Sequence, residues 1–284
     1  MKLNLYKDLQ KFHDDHINLL LEKEWLNNLI ISNILYGLKN KYDEWLFGNL
    51  TVNNNIELIF LQRKPWKLLL YSLINEDLDN KLNYFVKEIY KIDKNINGVN
   101  STEDIAQKFS NFYCSLSNKN PKIKIKMRIL LLKQMKQGTL NKGLIFRNAE
   151  LKDKNILKKF IYDFSYEIHH TKLNDEKIEN LYNKYLDFGY YIIENDGKIV
   201  SQAAVVRKLI NGKCLGTVYT PKEERNNGYC YNLIYRLCDE LLKRKETKFI
   251  CLYTEDYNEI SNHIYMKKLD LKDNIIVLNL IFYK

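Results

Sequence analysis

The sequence of 284 residues lacks a long apolar run. The nearest candidate, residues 68–73, has only the length of a β-strand, whereas a membrane-spanning helix needs about 20 consecutive apolar residues. Residues 1–8 are charged and amphipathic and lack the apolar core of a signal peptide. With 45% apolar and 28% charged residues, the composition predicts a soluble globular protein rather than a disordered or membrane-spanning one.

Cysteine is scarce and shows no ligand spacing. The five cysteines are an odd number, without a Cys-x-x-Cys pair or a matching histidine spacing. We therefore expect neither a disulfide framework nor a metal site, and instead reduced thiols in the cytoplasm. Four of them fall mostly on apolar strand or helix faces and are expected to be small core residues: Cys214, Cys230, Cys238 and Cys251.

Charge is present in excess but is not concentrated. The 45 basic and 35 acidic residues give a net charge of +10, and the lysines are spread along the whole chain. A nucleic-acid-binding protein would need a basic patch or stripe, so this function is a weak alternative. A basic surface would equally suit a cofactor that carries phosphate groups.

The first half alternates helical and strand-like patterns. A helical spacing of apolar residues opens the chain, and later segments alternate in type. Strands are expected at 45–52, 56–62, 67–72 and 122–132, and helices at 78–90 and 102–116. The chain length suits two domains, so we expect an α/β domain over residues 1–135, with 137–139 as the linker.

The second half has clearer signals. The turn at 195–198 contains Asp196-Gly197 and predicts a hairpin of the strands 189–194 and 199–206. Further elements are expected as follows: a helix at 151–168, a strand at 214–219, an amphipathic helix from Leu233 to Leu242, a strand at 249–253, a helix at 260–267 and a strand at 275–282.

The polar turn before the amphipathic helix contains the chemistry. In Arg225-Asn226-Asn227-Gly228-Tyr229-Cys230 the glycine allows a close backbone approach to a ligand. The first N–H groups of a helix are unpaired and lie at its positive end, where they bind phosphate oxygens. An ordinary strand-to-helix loop is the alternative interpretation.

Two segments together resemble the acetyl-coenzyme A-binding motifs of the GNAT acetyltransferases. Residues 217–230 resemble the strand followed by Gln/Arg-x-x-Gly-x-Gly/Ala, and residues 258–267 resemble the second cofactor segment, with Asn, then Ser-Asn, then Ile-Tyr-x-Lys. The resemblance implies an α/β fold with a mixed, mostly antiparallel central sheet flanked by helices. It also implies an acetyltransferase domain over residues 140–284 that uses acetyl-CoA as co-substrate.

The resemblance implies roles for individual residues. The backbone of Val218 and Tyr219 would pair with the pantetheine arm where the strand separates from its neighbour. Tyr265 would protonate the departing thiolate as general acid; a packed helix aromatic is the alternative. The N–H groups of Arg225, Asn226, Asn227, Gly228, Tyr229 and Cys230 would hold the pyrophosphate, and Asn258 and Ser261 belong to the segment that contacts the cofactor arm.

The sequence departs from the family pattern at two points. Cys230 replaces the last Gly or Ala of the first motif, which leaves less room for phosphate. No glycine follows Lys267, which makes the local turn uncertain. The general base also stays open; by location alone the candidates are Glu167, Glu194, Glu224 and the pair His169-His170.

The N-terminal half lacks an Arg/Gln-x-x-Gly-x-Gly/Ala loop. It resembles the degenerate first domain of tandem GNAT proteins, which implies a domain without a cofactor that helps to shape the acceptor pocket. The acceptor would be a small-molecule or peptide amine whose identity the sequence leaves open. A catalytically silent acyl-CoA-binding or sensing protein is the remaining alternative.

Overall fold

The computed structural model describes residues 1–283, apart from the side chains of His169 and Asp273. These residues divide into two compact units. Unit 1 contains Met1–Ile129, Glu255–Tyr257 and the described residues from Ile275 onward, and unit 2 contains Leu130–Thr254 and Asn258–Asn274. None of the helices in the described part of the chain combines the length and apolar character that crossing a bilayer requires.

Unit 1 begins with a short strand that the helical spacing of its first residues did not predict. Its elements are β1 (Lys2–Leu5), α1 (Leu9–Glu22), α2 (Asn28–Gly37), β2 (Leu46–Val52), β3 (Asn55–Gln62), β4 (Leu68–Ser72), α3 (Leu78–Ile92), β5 (Gly98–Thr102), α4 (Glu103–Ser117) and β6 (Asn120–Leu132), whose last three residues are counted in unit 2. Asp8 caps α1, because its side chain accepts hydrogen bonds from the N–H groups of Gln10 and Lys11.

Unit 2 repeats this succession of elements. They are β7 (Ile145–Asn148), α5 (Lys154–His169), α6 (Asp175–Phe188), β8 (Tyr190–Asn195), β9 (Lys198–Lys208), β10 (Gly212–Tyr219), α7 (Tyr229–Leu242), β11 (Phe249–Glu255), α8 (Glu259–Asn262), a π-helical turn (His263–Lys268) and β12 (Lys272–Tyr283), of which only the residues up to Asn274 are counted in unit 2. The helix expected at 260–267 is thus divided between α8 and the π-helical turn.

Strand pairing repeats as well. In unit 1, β1–β2, β2–β3 and β3–β4 are antiparallel pairs and β4–β5 is a parallel pair. In unit 2, β7–β8, β8–β9 and β9–β10 are antiparallel and β10–β11 is parallel. The predicted mixed, mostly antiparallel sheet is therefore confirmed, and each unit builds it with one parallel pair in the same place. The topological repeat is not visible as a repeat of letters.

Each unit buries apolar side chains on both faces of its sheet. In unit 1, α1 and α2 cover one face with residues such as Phe12 and Ile31, and α3 and α4 cover the other with residues such as Phe85 and Phe109. In unit 2, α5 and α6 pack on the face that carries Tyr190, Ile192 and Ala204. The opposite face carries Leu215, Ile250 and Leu252 and packs against α7 and the π-helical turn. Val218, Cys230 and Tyr265 thus belong to the cluster under α7, whereas the side chain of Tyr219 packs on the α5–α6 face.

The expected domain over residues 140–284 includes the last strand, but most of this strand is counted in unit 1. Val277 to Ile281 of β12 pair antiparallel with Thr102 to Gly98 of β5, so the stretch from Ile275 is part of unit 1. This pairing joins residues far apart in sequence, and a strand pattern alone specifies no partner.

Candidate cofactor and catalytic site

The site begins where two parallel strands of unit 2 separate. The paired residues of β10 and β11 run from Gly212↔Phe249 to Leu215↔Leu252. The register of β10 with β9 then shifts between Gly216 and Tyr219, and Thr217 has a positive φ of 50°. Such a bulge bends and twists a strand locally. Val218 and Tyr219 consequently lie beyond the paired part of β10 and β11, where an extended ligand could add to the strand edge.

The loop between β10 and α7 ends in two left-handed residues. A 3₁₀ turn (Lys222–Glu224) leads to Arg225, and Asn226 and Gly228 then have φ values of 68° and 75°. The first i→i−4 bond of α7 joins the Asn232 N–H to the Gly228 carbonyl at 3.0 Å. No side chain caps the helix at Gly228. The helix therefore presents its first N–H groups, those of residues 229–231, and its positive dipole end without a side-chain cap.

Gly228 is required for its backbone conformation rather than for space. A Cβ built on it would meet only the Asn232 side-chain nitrogen, at 3.8 Å. Asn232 itself is buried; its side chain donates to the Gly228 carbonyl at 3.0 Å and accepts from the Asn141 N–H at 2.9 Å. Asn232 thus holds the loop in place, a role that depends on tertiary contacts and has no signal in the sequence.

Arg225 is bound to the protein through both its backbone and its side chain. Its N–H donates to the Lys222 carbonyl at 3.3 Å, so it is already used within the loop. Its guanidinium donates to the Thr220 carbonyl at 3.0 Å and to Glu167 at 2.7 Å. Of the backbone N–H groups expected to bind phosphate over residues 225–230, that of Arg225 is therefore already used, and the candidates are those of the residues that follow it.

Glu167 joins the loop to the end of β10. It accepts hydrogen bonds from the Tyr219 hydroxyl at 2.9 Å and from Arg225. Burial opposes ionisation of Glu167, but the hydrogen bonds from Arg225 and Tyr219 outweigh it and lower its pKa below the ordinary value. Burial and the hydrogen bond to Glu167 raise the pKa of Tyr219. Glu167 is thus an ionised structural partner of the loop.

Of the other candidate bases, the two carboxylates have cation partners, and His170 is exposed at the end of α5. Glu194 accepts from Arg147 at 2.6 Å, and Glu224 pairs with Lys198. The side chain of His169 lies outside the described residues. Both carboxylates are therefore already occupied by a cation partner.

Tyr265 lies in the π-helical turn, in which the Leu269 N–H donates to the Ile264 carbonyl at 3.0 Å. Such turns occur frequently at functional sites. Tyr265 is 5% exposed, and its side chain packs in the same apolar cluster as Cys230, which lies in the first turn of α7. Burial raises the pKa of the Tyr265 hydroxyl well above its ordinary value and that of the Cys230 thiol to about 12. Both groups are therefore protonated at neutral pH, and Tyr265 can donate a proton.

The second motif forms a capped turn. The Asn258 side chain accepts from the Ser261 N–H at 3.0 Å and caps α8. The glycine that the sequence lacks after Lys267 is replaced by Asp270, which takes a φ of 57° and pairs with Lys136 at 2.8 Å. Aspartate tolerates this conformation better than most residues, so the turn forms without glycine.

The corresponding loop of unit 1 is acidic. It joins β4 to α3 over residues 73–77, contains no glycine, and carries Glu76 and Asp77, with Asp79 in the first turn of α3. Carboxylates at a helix start occupy the position where phosphate would bind and repel it.

Comparison with known proteins identifies the fold. No protein-family sequence model matches the chain, and no curated protein matches it by sequence. A GNAT-family acetyltransferase from Colwellia psychrerythraea is similar in structure with a TM-score of 0.59 and 11% identity, over 99% of this chain and 100% of that one. A Drosophila protein has a TM-score of 0.62 and 11% identity, over 99% and 98% of the two chains.

A tandem GNAT protein from the clavulanic acid biosynthesis pathway is also similar, with a TM-score of 0.54 and 7% identity over 99% of this chain and 98% of that one. These matches extend over both units. The chain therefore has the fold of the tandem GNAT proteins, as the resemblances of its two halves predicted.

Proposed function

We propose that this protein is an acetyl-CoA-dependent N-acetyltransferase whose co-substrate binds unit 2. The observation that supports it best is the coincidence of three features: separated parallel strands, an uncapped helix start, and a buried protonated tyrosine beside that helix start. An extended thiol ester with a pyrophosphate at its far end requires a strand edge and a phosphate-binding helix start.

Different residues of unit 2 bind different parts of acetyl-CoA. The backbone of Val218 and Tyr219 supplies the strand edge for the pantetheine arm, and the N–H groups from Asn226 to Tyr231 face the pyrophosphate. Asn258 and Ser261 contribute the capped turn that borders the arm. Acetyl-CoA supplies an acetyl group as a thioester. Direct attack by an amine forms the C–N bond and breaks the C–S bond.

Proton transfer completes the proposal. Tyr265 gives its hydroxyl proton to the sulfur as the C–S bond breaks, because the buried phenol is protonated at neutral pH, and it regains a proton from water after CoA leaves. Since the three candidate carboxylates are held by Arg225, Arg147 and Lys198, the proton of the attacking amine leaves through water.

A second function, silent acyl-CoA binding, has one specific observation in its favour. The Tyr265 hydroxyl is sheltered by the Cys230 thiol, and a purely structural tyrosine would be packed in the same way. Thiol release from acetyl-CoA, measured over a panel of amines, separates the two functions. Release that depends on the amine supports the transferase, whereas binding of acetyl-CoA without release supports the silent protein.

A further inference from the structure

Arg207, at the end of β9, has a cationic side chain that pairs with no carboxylate of the described residues. It is half-buried; one terminal nitrogen (Nη1) lies 3.1 Å from the Cys214 sulfur, and the guanidinium carbon lies 5.5 Å from the centre of the Tyr253 ring. In residues 1–283, leaving aside the two side chains not described, the ion pairs include neither Arg207 nor Lys184, its neighbour on α6. Arg147 and Arg225 of the same unit do pair with carboxylates.

A half-buried cation is costly unless an anion or a hydrogen-bond partner compensates it. Loss of surrounding solvent and the positive charge of Arg207 lower the pKa of Lys184, which shows that the two like charges interact. A hydrogen bond with Cys251 and the charge of Arg207 together lower the pKa of Cys214 to about 7, against the effect of burial. The positive charge of Arg207 thus lowers the pKa values of both Lys184 and Cys214, and no carboxylate of the described residues pairs with it.

Arg207 lies at the point where β10 and β11 separate. Tyr253 directly follows Leu252, the last residue of β11 that pairs with β10. Successive side chains of a strand point to opposite faces, and Leu215 and Leu252 belong to the core beneath α7. Cys214 and Tyr253 therefore lie on the other face, which carries α6, and the anion that Arg207 would meet differs from the phosphates expected at α7.

We propose that Arg207, assisted by Lys184, binds an anionic group of the acceptor, so that the acceptor is an amine that also carries a carboxylate or a phosphate. This inference rests on the proposed function. An acceptor must approach the thioester in the gap between β10 and β11, and Arg207 is fixed beside that gap by the Tyr253 ring. A guanidinium binds carboxylate and phosphate through paired donors, and one anchored group orients the amine for attack.

The first test uses the unmodified protein and matched amines. Thiol release from acetyl-CoA is measured for phenylalanine and phenethylamine, histidine and histamine, lysine and cadaverine, and phosphoethanolamine and ethanolamine. We expect the anionic member of at least one pair to have a kcat/KM at least tenfold higher than its partner, and the pair that responds identifies carboxylate or phosphate. The inference is overturned if, in every pair, the amine that lacks the carboxylate or phosphate reacts equally fast or faster.

The second test uses Arg207→Gln with Lys208→Gln as a matched control, because Lys208 is the next residue, is exposed and carries the same charge. We expect R207Q to raise the KM of the anionic amine at least tenfold, R207K to retain part of the affinity, and K208Q to behave like the parent. Acetyl-CoA should shift the melting temperature of all variants equally, which separates this inference from the proposed function.

Melting of the CoA-saturated protein with each amine gives a readout that needs no turnover. Stabilisation by an anionic amine that R207Q abolishes supports the inference. A panel in which no anionic amine binds or reacts overturns it, as does an R207Q variant with unchanged KM. If acetyl-CoA itself neither binds nor releases thiol, the proposed function fails instead. If R207Q does not fold, the amine pairs with the unmodified protein decide the question.

Discussion

Tyr265 packs beside Cys230 in one apolar cluster, although one residue lies in the π-helical turn and the other in the first turn of α7. This contact brings the expected proton donor to the start of the helix that is expected to hold the phosphates. It also explains how Cys230 fits at the position where the GNAT motif that the sequence resembles has Gly or Ala, because its side chain packs against the apolar cluster that contains Tyr265. The two sequence motifs are therefore neighbours in space.

Tyr265→Phe should lower the turnover number by roughly 10²-fold or more, because a positioned proton donor contributes about that much to a transfer reaction. The ring and its packing remain, so the acetyl-CoA-induced melting shift should stay the same. Turnover is measured by thiol release with the best amine, and Tyr166→Phe, at a residue 51% exposed, is the control. Parent-level turnover in the Phe variant would show that Tyr265 is structural.

Gly228→Val should abolish the response to acetyl-CoA. A left-handed φ costs a residue with a Cβ about 1–2 kcal/mol, so the loop will shift to relieve it. Saturation at about 100 times the dissociation constant should stabilise the parent by roughly 2.7 kcal/mol, measured by thermal melts with and without acetyl-CoA. The variant should lose this shift.

Gly197→Val is the matched control for this experiment. Gly197 also has a positive φ, 76°, lies in the β8–β9 turn and has nothing within 4 Å of a built Cβ. It should lose similar stability and keep the full response to acetyl-CoA. A Gly228→Val protein that responds normally would contradict the assignment of the loop.

Glu167→Gln should destabilise the protein by about 1 kcal/mol at pH 7, because it removes the ionised partner of Arg225, whose side chain is partly solvent-screened. The pKa of Glu167 is lower in the folded protein, so its contribution is present above its unfolded pKa and is lost as pH falls through the folded value. The difference between parent and variant in urea unfolding should therefore shrink below about pH 4, near the ordinary pKa of glutamate. Glu223→Gln, in the exposed 3₁₀ turn that precedes Arg225, is the control. A difference in stability that persists in acid would exclude the ion pair as its cause.

Acetyl-CoA should bind with a stoichiometry of one per chain. The loop of unit 1 has no glycine and carries Glu76 and Asp77 at the start of α3, so it disfavours phosphate. Isothermal titration calorimetry measures the stoichiometry, and Gly228→Val should remove all binding. A second site that survives in this variant would show that unit 1 also binds the cofactor.

Local signals in the sequence were sufficient for most of the fold. The turn around Asp196-Gly197 predicts a hairpin because Asp and Gly accept positive φ, and these residues have φ values of 49° and 76°. Helix α6 was not predicted, since its buried positions are Ile178, Tyr182 and Tyr185, and tyrosine forms a weaker apolar pattern than leucine or isoleucine. The short edge strands β1 and β7 likewise contain too few residues for a pattern.

The sequence by itself predicted most of the elements and the loop at Gly228, because each depends on residue type and short-range spacing, whereas the role of Tyr265 as proton donor follows from the family resemblance and stays a prediction. Tertiary structure alone decided that β10 and β11 separate after Leu215 and Leu252, that β12 pairs with β5, and that Arg207 reaches Tyr253. The physical reason is that strand pairing and side-chain contacts join residues distant in the chain. Their partners are selected by the packing of the whole unit, which no local pattern encodes.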